Sequence, residues 1–459
     1  MKVPANYPDR RGCIIGLGYV GLTLAVTMAE VGFEVIGVER DSRILSALNG
    51  GQAHFSELGL NPRLVSQLAT KRLKASREWP KRGANDVYIV TVGTPLAPGR
   101  LTDLEALRTV SEELARILTE DDLVILRSTV RVGVSRRVVK PVLDRAGVEY
   151  GLAFCPERTL EGKALIELRT LPQIIGGIDE ASAIRASQVF NFVTPTTIRV
   201  RDLETAEMIK LVNNTQRDLM FAFANEVAGM CDSIGISAVD VIRAGNMGYA
   251  RGFMPMPGPV GGPCLEKDAH ILAEAVKLHG GKARLTQLAR AINEELPLNA
   301  VECVSEALGD AQVTKIAIAG LAFKGRPETS DLRGTLAVPL IAALRARYPR
   351  ARIAGFDPAV AVAETKSLGI EHAETAAEAF EAANSVIFQN NNENFERLDL
   401  ASLSEVMASG AVIYDLWNQF DVDILIMRPD VRYFGLGTRT LAVSAQRDES
   451  RRNVASSRI

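Results

Sequence analysis

One cysteine stands apart from the other four. Cys264 lies in the stretch GGPCLEKD, residues 261–268, between a Gly-Gly-Pro turn and a run of charge. Cys13 and Cys155 lie in strand-like runs, GCIIG and LAFCPE, while Cys231 and Cys303 lie in helix-like runs, VAGMCDSIG and AVECVSEAL. Those four read as small buried hydrophobes. Cys264 instead follows a Gly/Pro-rich loop, RGFMPMPGPVGGP, and precedes a helical run, KDAHILAEAVKLHG. A thiol near a helix N-terminus has its thiolate favoured by the helix dipole, which makes Cys264 a candidate nucleophile. Asp268 follows roughly one helical turn later. A second polar set lies in EMIKLVNNTQRD, which carries Lys210, Asn213, Asn214 and Arg217. Lys210 and Asn214 are four apart and share a helix face. A solvated face is the plain explanation of such a pair. Asparagine is a mediocre helix former, however, so two adjacent ones in mid-helix ask for a reason.

A third signal is GLGYVG, which sets Gly16, Gly18 and Gly21 in G-x-G-x-x-G spacing around Tyr19 and Val20. Glycines also mark ordinary turns. Here the motif follows a strand-like run and opens a helical one, LTLAVTMAEVG, and a second strand-like run then ends at Glu39. In a dinucleotide fold the first glycine makes the tight turn, the second admits the pyrophosphate, and the third packs helix on strand. The phosphates then sit on the helix N-terminus. Glu39 is placed to bind the adenosine ribose hydroxyls, and a carboxylate there favours NAD over NADP. Arg40 and Arg43 pull the other way, because arginine can accept a 2′-phosphate. A dinucleotide cofactor and a nucleophilic thiol together suggest oxidation through a covalent sulfur adduct.

These residues need a scaffold. The first half of the chain alternates short apolar runs with amphipathic stretches. GCIIGLG, FEVIGVER, DVYIVTVGTP, DLVILRSTV and GLAFCPER read as strands of a parallel sheet with helices on both faces. From about Asp202 to Gly235 a proline-free stretch predicts one long helix. An all-helical region continues to about Pro297. Strand alternation then returns in KIAIAGLAF, ARIAGFDP, NSVIFQN, AVIYDLWN and VRYFGLG. GCIIGLG parallels KIAIAGLAF, and VIGVER parallels IAGFDP. The expectation is an α/β chain with two Rossmann-like doubly wound domains joined by a long central helix. Its parts are residues 1–201, a helical region 202–298, a second sheet domain 299–440 and a frayed polar tail 441–459.

Bulk properties narrow the class. A chain of 459 residues is too long for one core. At 47% hydrophobic, 24% charged and a formal net charge of -2, nothing suggests general affinity for nucleic acid or anionic membranes. No apolar run has the length of a membrane span, and MKVPANYPDRRG lacks the core of a signal peptide. Five scattered cysteines form no disulfide framework, and no CxxC pair or histidine cluster suggests a metal. The expectation is a cytoplasmic protein with reduced thiols.

The segments GLGYVGL, STV, PER, EMIKLVNNT, GGPCLEKD and GLAFKGRPETSDLRG occur in the order typical of nucleotide-sugar dehydrogenases. The resemblance runs from about residue 12 to 440. That family oxidises a sugar nucleotide at C6 with two NAD per turnover; the UDP-glucose 6-dehydrogenases are its best-known branch. The resemblance implies an NAD domain, a helical dimerisation region, a nucleotide-binding second sheet domain, and a homodimer or higher homo-oligomer acting on a UDP-sugar. It assigns Cys264 as the nucleophile that forms a thiohemiacetal and then a thioester. Lys210 and Asn214 match the pair that stabilises the developing oxyanion. Asp268 and Thr129 resemble the pair that positions water and assists proton transfer. Glu157, in PER, and Glu161 match carboxylates of which one helps thioester hydrolysis; on residue type alone both read as surface charge. Thr94 and Thr129 join the glycine loop, Glu39, Arg40 and Arg333 as cofactor contacts. Arg251, Gly261 and Lys324 join Glu157, Lys210 and Asn214 as substrate contacts. On residue type alone Lys324 and Arg333 read as a solvated loop.

UDP-glucose members of the family carry a lysine-containing FLKAS-like segment ahead of the cysteine loop. Here GFMPMPGPVGGPC has no lysine and is more similar to branches acting on 2-acetamido sugars. UDP-glucose and GDP-mannose remain as alternatives. A single-oxidation β-hydroxyacid dehydrogenase shares the glycine loop, the lysine and the asparagine, but needs neither Cys264 nor a second sheet domain. A catalytically silent sensor would not need the full set of Cys264, Lys210, Asn214 and Asp268.

Overall fold

The computed structural model describes residues 2–421 and 425–438. The expected polar tail, 441–459, lies outside the described residues. Contacts gather the chain into two compact units, Met1–Thr215 with Lys267–Ala283, and Gln216–Glu266 with Arg284–Ile459. The central region is therefore shared between the two.

In the first unit the strands are β1 (Arg11–Ile15), β2 (Glu34–Val38), β3 (Leu73–Ser76), β4 (Val87–Val90), the short pair β5 (Leu96–Ala97) and β6 (Leu101–Thr102), then β7 (Asp122–Leu126), β8 (Tyr150–Phe154), β9 (Gln173–Gly177) and β10 (Thr197–Val200). Eight of them form one sheet in the order β10-β9-β8-β7-β4-β1-β2-β3. From β3 to β8 all pairings are parallel, whereas β9 lies antiparallel to β8. The six parallel strands have the doubly wound order, whose switch point falls between β1 and β4. Their residues alternate between two apolar layers: Ile14, Ile89 and Ile125 on one face, Cys13, Ile15, Val90 and Val124 on the other. A strand buried on both faces reads as a continuous apolar run, which is why these strands were legible. Three were not. LKAS in β3 and TIRV in β10 are short edge strands with exposed positions, and QIIGG in β9 ends in two glycines.

The second unit holds β11 (Lys315–Ala319), β12 (Arg352–Phe356), β13 (Glu371–His372), β14 (Ser385–Phe388), β15 (Val412–Asp415) and β16 (Arg432–Gly435). They form an all-parallel sheet in the order β13-β12-β11-β14-β15-β16, again doubly wound. The echo between the two sheets extends to atoms. Gly16 N donates to Val38 O, and Gly320 N to Phe356 O, both at 2.8 Å. The carboxylate ending the second strand then grips the following loop in each: Glu39 accepts from Leu17 N, and Asp357 from Leu321 N and Ala322 N.

The long helix runs from Leu203 to Ile234. Asp202 caps its start by accepting from Thr205 N, and Gly235, with φ +86°, ends it. Gly229 lies inside and does not interrupt it. Two further helices, Ala238–Asn246 and Gly262–Leu278, flank the Gly/Pro-rich loop. The expected helical stop near Pro297 is corrected: the helix Arg284–Leu308 continues through it. Proline removes one backbone bond in mid-helix, and here its ring is buried within that helix.

Candidate active site

The glycine loop has the geometry its spacing predicts. Gly16 has φ +91°, a conformation that disfavours any side chain. A methyl group built on Gly21 would stand 1.9 Å from Gly16 O, so only glycine lets the helix Tyr19–Val31 sit down on the loop. Gly18, at that helix's N-cap, has nothing within 4 Å of an added carbon, and no side chain caps the helix. An open glycine ahead of uncapped N–H groups is a cradle that fits a dinucleotide pyrophosphate. Glu39 is buried. Its Oε2 accepts from Leu17 N at 2.8 Å and its Oε1 from Arg40 N and Asp41 N at 2.8 and 3.0 Å. Three of about four acceptor positions are thereby used to shape the loop, which leaves room for one ribose hydroxyl. The Tyr19 hydroxyl donates to the Glu57 carboxylate and accepts from Gly162 N at 2.9 Å, so its ring ties the glycine loop to the segment holding Glu161. The Val20 side chain is half-buried, whereas Arg40 is exposed.

Beyond β4 and β7 the loops carrying Thr94 and Thr129 are held together. The Thr94 hydroxyl donates to Thr129 O, and the Lys267 ammonium donates to Thr94 O at 3.0 Å. Near them lie Lys210, Asn214, Glu157 and Asp268. Asn214 Nδ2 donates to Asp268 Oδ2 at 2.6 Å. Asp268 is fully buried, and its other oxygen, Oδ1, has no hydrogen-bond partner among the described residues. Burial pushes this carboxyl above the usual range, with Lys210, Lys267 and Asn214 opposing the shift. Lys210 is only 6% exposed. Its charge acts on both Asp268 and Glu157.

Glu157 is not the surface charge that its residue type suggested. It is buried, paired with the buried Arg127 guanidinium, and accepts from Arg158 N and Thr159 N at 2.7 and 2.8 Å. Burial raises its pKa, but Arg127, the Thr159 N–H and Lys210 outweigh that, and the carboxyl ends below its ordinary value. Such a group stays ionised.

Cys264 is the third residue of the helix Gly262–Leu278 and is exposed. Asp268 lies four residues further along the same helix. Cys13 and Cys155 differ: burial pushes both thiols up to about 12. Cys231 is buried as expected, while Cys303 is only half-buried, which corrects that expectation. In the second unit the cysteine loop lies against the FKGRPETSDLRG segment. Gly262 N donates to Gly334 O at 2.8 Å, and an added carbon on Gly262 would strike the Phe323 ring. Lys324 stacks its ammonium 5.3 Å from that ring's centre. Arg333 is exposed and its guanidinium bonds Asp331. Arg251 stacks on Tyr249, and Gly261 packs under Gly334 O.

Three contributors escaped the sequence reading. Lys267 stands inside GGPCLEKD and Arg127 directly before STV, so both were quoted or adjacent but unassigned. Glu207, one turn before Lys210, accepts from Gly133 N and Ser135 N and so fastens the loop after Thr129 to the long helix. Only the fold reveals those partners.

The two doubly wound sheets, the glycine cradle and the lysine, asparagine and aspartate of the central helices define an NAD-dependent oxidoreductase. Residues 10–194 match the NAD binding domain, 204–295 the central domain and 317–422 the UDP binding domain of the UDP-glucose/GDP-mannose dehydrogenase family. The chain belongs to that family. It is 30% identical over 412 residues to a UDP-N-acetyl-D-mannosamine dehydrogenase of Pyrococcus horikoshii, covering 88% of this chain and 94% of that protein. It is also 30% identical over 398 residues to an NDP-N-acetyl-D-galactosaminuronic acid dehydrogenase of Ralstonia nicotianae, covering 84% and 92%. The solved structure of a UDP-D-ManNAc dehydrogenase from Pyrococcus horikoshii superposes with a TM-score of 0.84 at 28% identity, covering 94% of this chain and 100% of that one.

Proposed function

We propose that the chain oxidises the C6 hydroxyl of a UDP-2-acetamido sugar to the carboxylate, making a precursor for surface polysaccharide. The observation that carries this reading is the buried Lys210–Asn214–Asp268 group, whose aspartate shares a helix with the exposed Cys264. The Gly16–Gly21 loop would hold NAD, which would supply the hydride acceptor for each of the two oxidations. Lys210 and Asn214 face the oxygen that becomes the carbonyl, and a buried cation beside an amide N–H stabilises negative charge there. Asp268, raised by burial, takes up the proton lost from the hydroxyl. Cys264 adds to the aldehyde as a thiohemiacetal and becomes a thioester once the second hydride leaves. Holding the aldehyde on sulfur prevents its escape. Thr129 and Asp268 position the water that releases the acid and regenerates the thiol. Glu157 is fixed as an anion by Arg127, which leaves Glu161 to assist hydrolysis. Lys324, Arg251 and Gly261 serve the substrate, and Arg333 the cofactor.

The acetamido preference rests on the PGPVGG segment and on the names of the similar proteins. We further propose a cytoplasmic homodimer formed through the helical region, with residues 1–201 carrying NAD and 299–440 the nucleotide. An absorbance assay of NADH across UDP- and GDP-sugars tests the reading. The expected outcome is two NADH per UDP-N-acetylhexosamine and no free aldehyde. One NADH per substrate would sink the four-electron mechanism. Cys264→Ser should lose turnover by several orders of magnitude, because an alcohol is a poor nucleophile near neutral pH, while NAD binding persists.

A further inference from the structure

A chain of buried polar side chains in the second unit ties down both ends of the cysteine loop. Asn225 makes two bonds to Gly258: its Oδ1 accepts from Gly258 N at 2.8 Å and its Nδ2 donates to Gly258 O at 3.1 Å. The same Nδ2 donates to Asn293 Oδ1 at 3.0 Å. Asn293 Nδ2 donates to Asp218 Oδ1 at 2.9 Å and to Asp218 O at 3.1 Å. Arg290 donates to Asp218 Oδ1 at 2.7 Å and to Leu265 O at 3.2 Å. The chain thus runs without a break from Gly258 to Leu265, and Cys264 lies between its two ends. All four side chains are buried, Asn293 completely.

These groups come from two helices, Leu203–Ile234 and Arg284–Leu308. Helix packing alone does not call for them. A buried ion pair adds little stability over apolar residues of similar volume, and a buried polar network is costly wherever a polar atom goes without a hydrogen bond, as Arg290 Nε does among the described residues. Its termini point at backbone, and that backbone belongs to the loop of the nucleophile. Packing on the other side leaves the loop little freedom. An added carbon on Gly258 would stand 2.8 Å from the Trp417 ring, and one on Gly261 would stand 2.2 Å from Gly334 O.

We propose that Asn225, Asn293, Asp218 and Arg290 are positioning residues that fix where Cys264 presents its sulfur. The proposal rests on Cys264 being the nucleophile. The network does not touch the reacting atoms; it holds the loop between Gly258 and Leu265 in one conformation. A displacement of the order of 1 Å at a reacting atom costs about 100-fold in rate, so the tether is worth far more to catalysis than to folding.

The test compares Arg290→Lys and Asn225→Ser in the full chain with Arg185→Lys, which disturbs a different ion pair, to Asp9. A lysine at position 290 keeps a cation near Asp218 but ends one bond short of the Nη1 that reaches both Asp218 Oδ1 and Leu265 O. Two readouts are used. One is the rate of Cys264 alkylation by iodoacetamide against pH, followed by peptide mass spectrometry. The other is kcat and KM beside the thermal midpoint. The expected result is an altered alkylation profile in both variants. Their kcat falls about 10- to 100-fold, KM for the sugar nucleotide changes little, and unfolding stays cooperative. The Arg185→Lys control keeps the native profile. Unchanged alkylation with unchanged kcat would overturn the proposal. So would activity lost only in proportion to folded protein, as in the control. Alkylation reports on the thiol without requiring turnover. A wrong assignment of Cys264 as nucleophile would therefore show separately, as activity retained in Cys264→Ser.

Discussion

At the scale of single residues, the group least legible in the sequence carries the clearest consequence. Glu157 sits in PER and could be taken for a surface acid. Its carboxylate instead neutralises Arg127, whose guanidinium also donates to Cys155 O and Gln173 Oε1 at 3.0 and 2.8 Å. Glu157→Gln would leave a buried guanidinium without its counter-charge. Breaking a buried pair from one side costs about 3–5 kcal/mol, so the variant should unfold at markedly lower denaturant concentration. The same change on a surface acid would be nearly silent, and a silent result would return Glu157 to that class. Cys264, Lys210 and Asn214 were legible because their types are unusual for their local setting. A thiol in a charged turn and two asparagines in mid-helix are visible in one dimension. Arg127 and Lys267 were not visible, because arginine and lysine are ordinary anywhere and only their partners across the fold make them special.

At the scale of elements, Glu207 joins the long helix to the loop that follows Thr129. Burial pushes its carboxyl up to about 7, although the N–H groups of Ser135 and Gly133 pull it down; Glu204 adds to the rise. A carboxyl raised in the folded state holds a proton that the unfolded chain releases. Its contribution to stability therefore declines as pH rises from the unfolded value, 4.5, to about 7, and is constant above that. Glu157, lowered, acts with the opposite sign and only at more acid pH. Glu207→Gln removes the titration. The stability of the native chain relative to this variant should fall by on the order of 3 kcal/mol between pH 5 and pH 8, read from denaturant unfolding at both. A pH-independent difference would show that Glu207 keeps an ordinary pKa. Elements with two buried faces, such as β1, β4 and β7, were legible as apolar runs. The edge strands β3 and β10 were not, because β3 has only two buried positions and β10 has none. The passage of a helix through Pro297 was equally hidden, since the rule that proline ends helices is a local one and long-range packing can override it.

At the scale of the whole molecule, the two sheets could be read from repeated strand patterns, and even the pairing of GCIIGLG with KIAIAGLAF is matched by bonds at corresponding atoms. What sequence periodicity cannot show is which apolar residues stay uncovered. On the long helix, Phe223, Met230 and Ile234 are exposed, Phe223 by 53% and Ile234 by 70%. Their spacing of seven and four residues puts them on one stripe. Leu285 and Leu288 on the helix Arg284–Leu308 are also exposed, by 69% and 59%. Single exposed leucines need no explanation, but aligned ones mark a surface that a partner covers. A second copy of the chain is the partner expected from the helical region's place in the family resemblance. Light scattering should therefore give at least twice the chain mass. The double variant Phe223→Glu with Leu288→Glu places a charge on the exposed apolar side of each helix, and repeated across a twofold interface such charges would oppose each other. It should lower the mass to that of one chain while leaving the Gly16–Gly21 loop able to bind NAD, because both positions belong to the other compact unit. A native chain that scatters as a monomer at working concentration would remove the dimer. A double variant that stays dimeric would move the interface elsewhere.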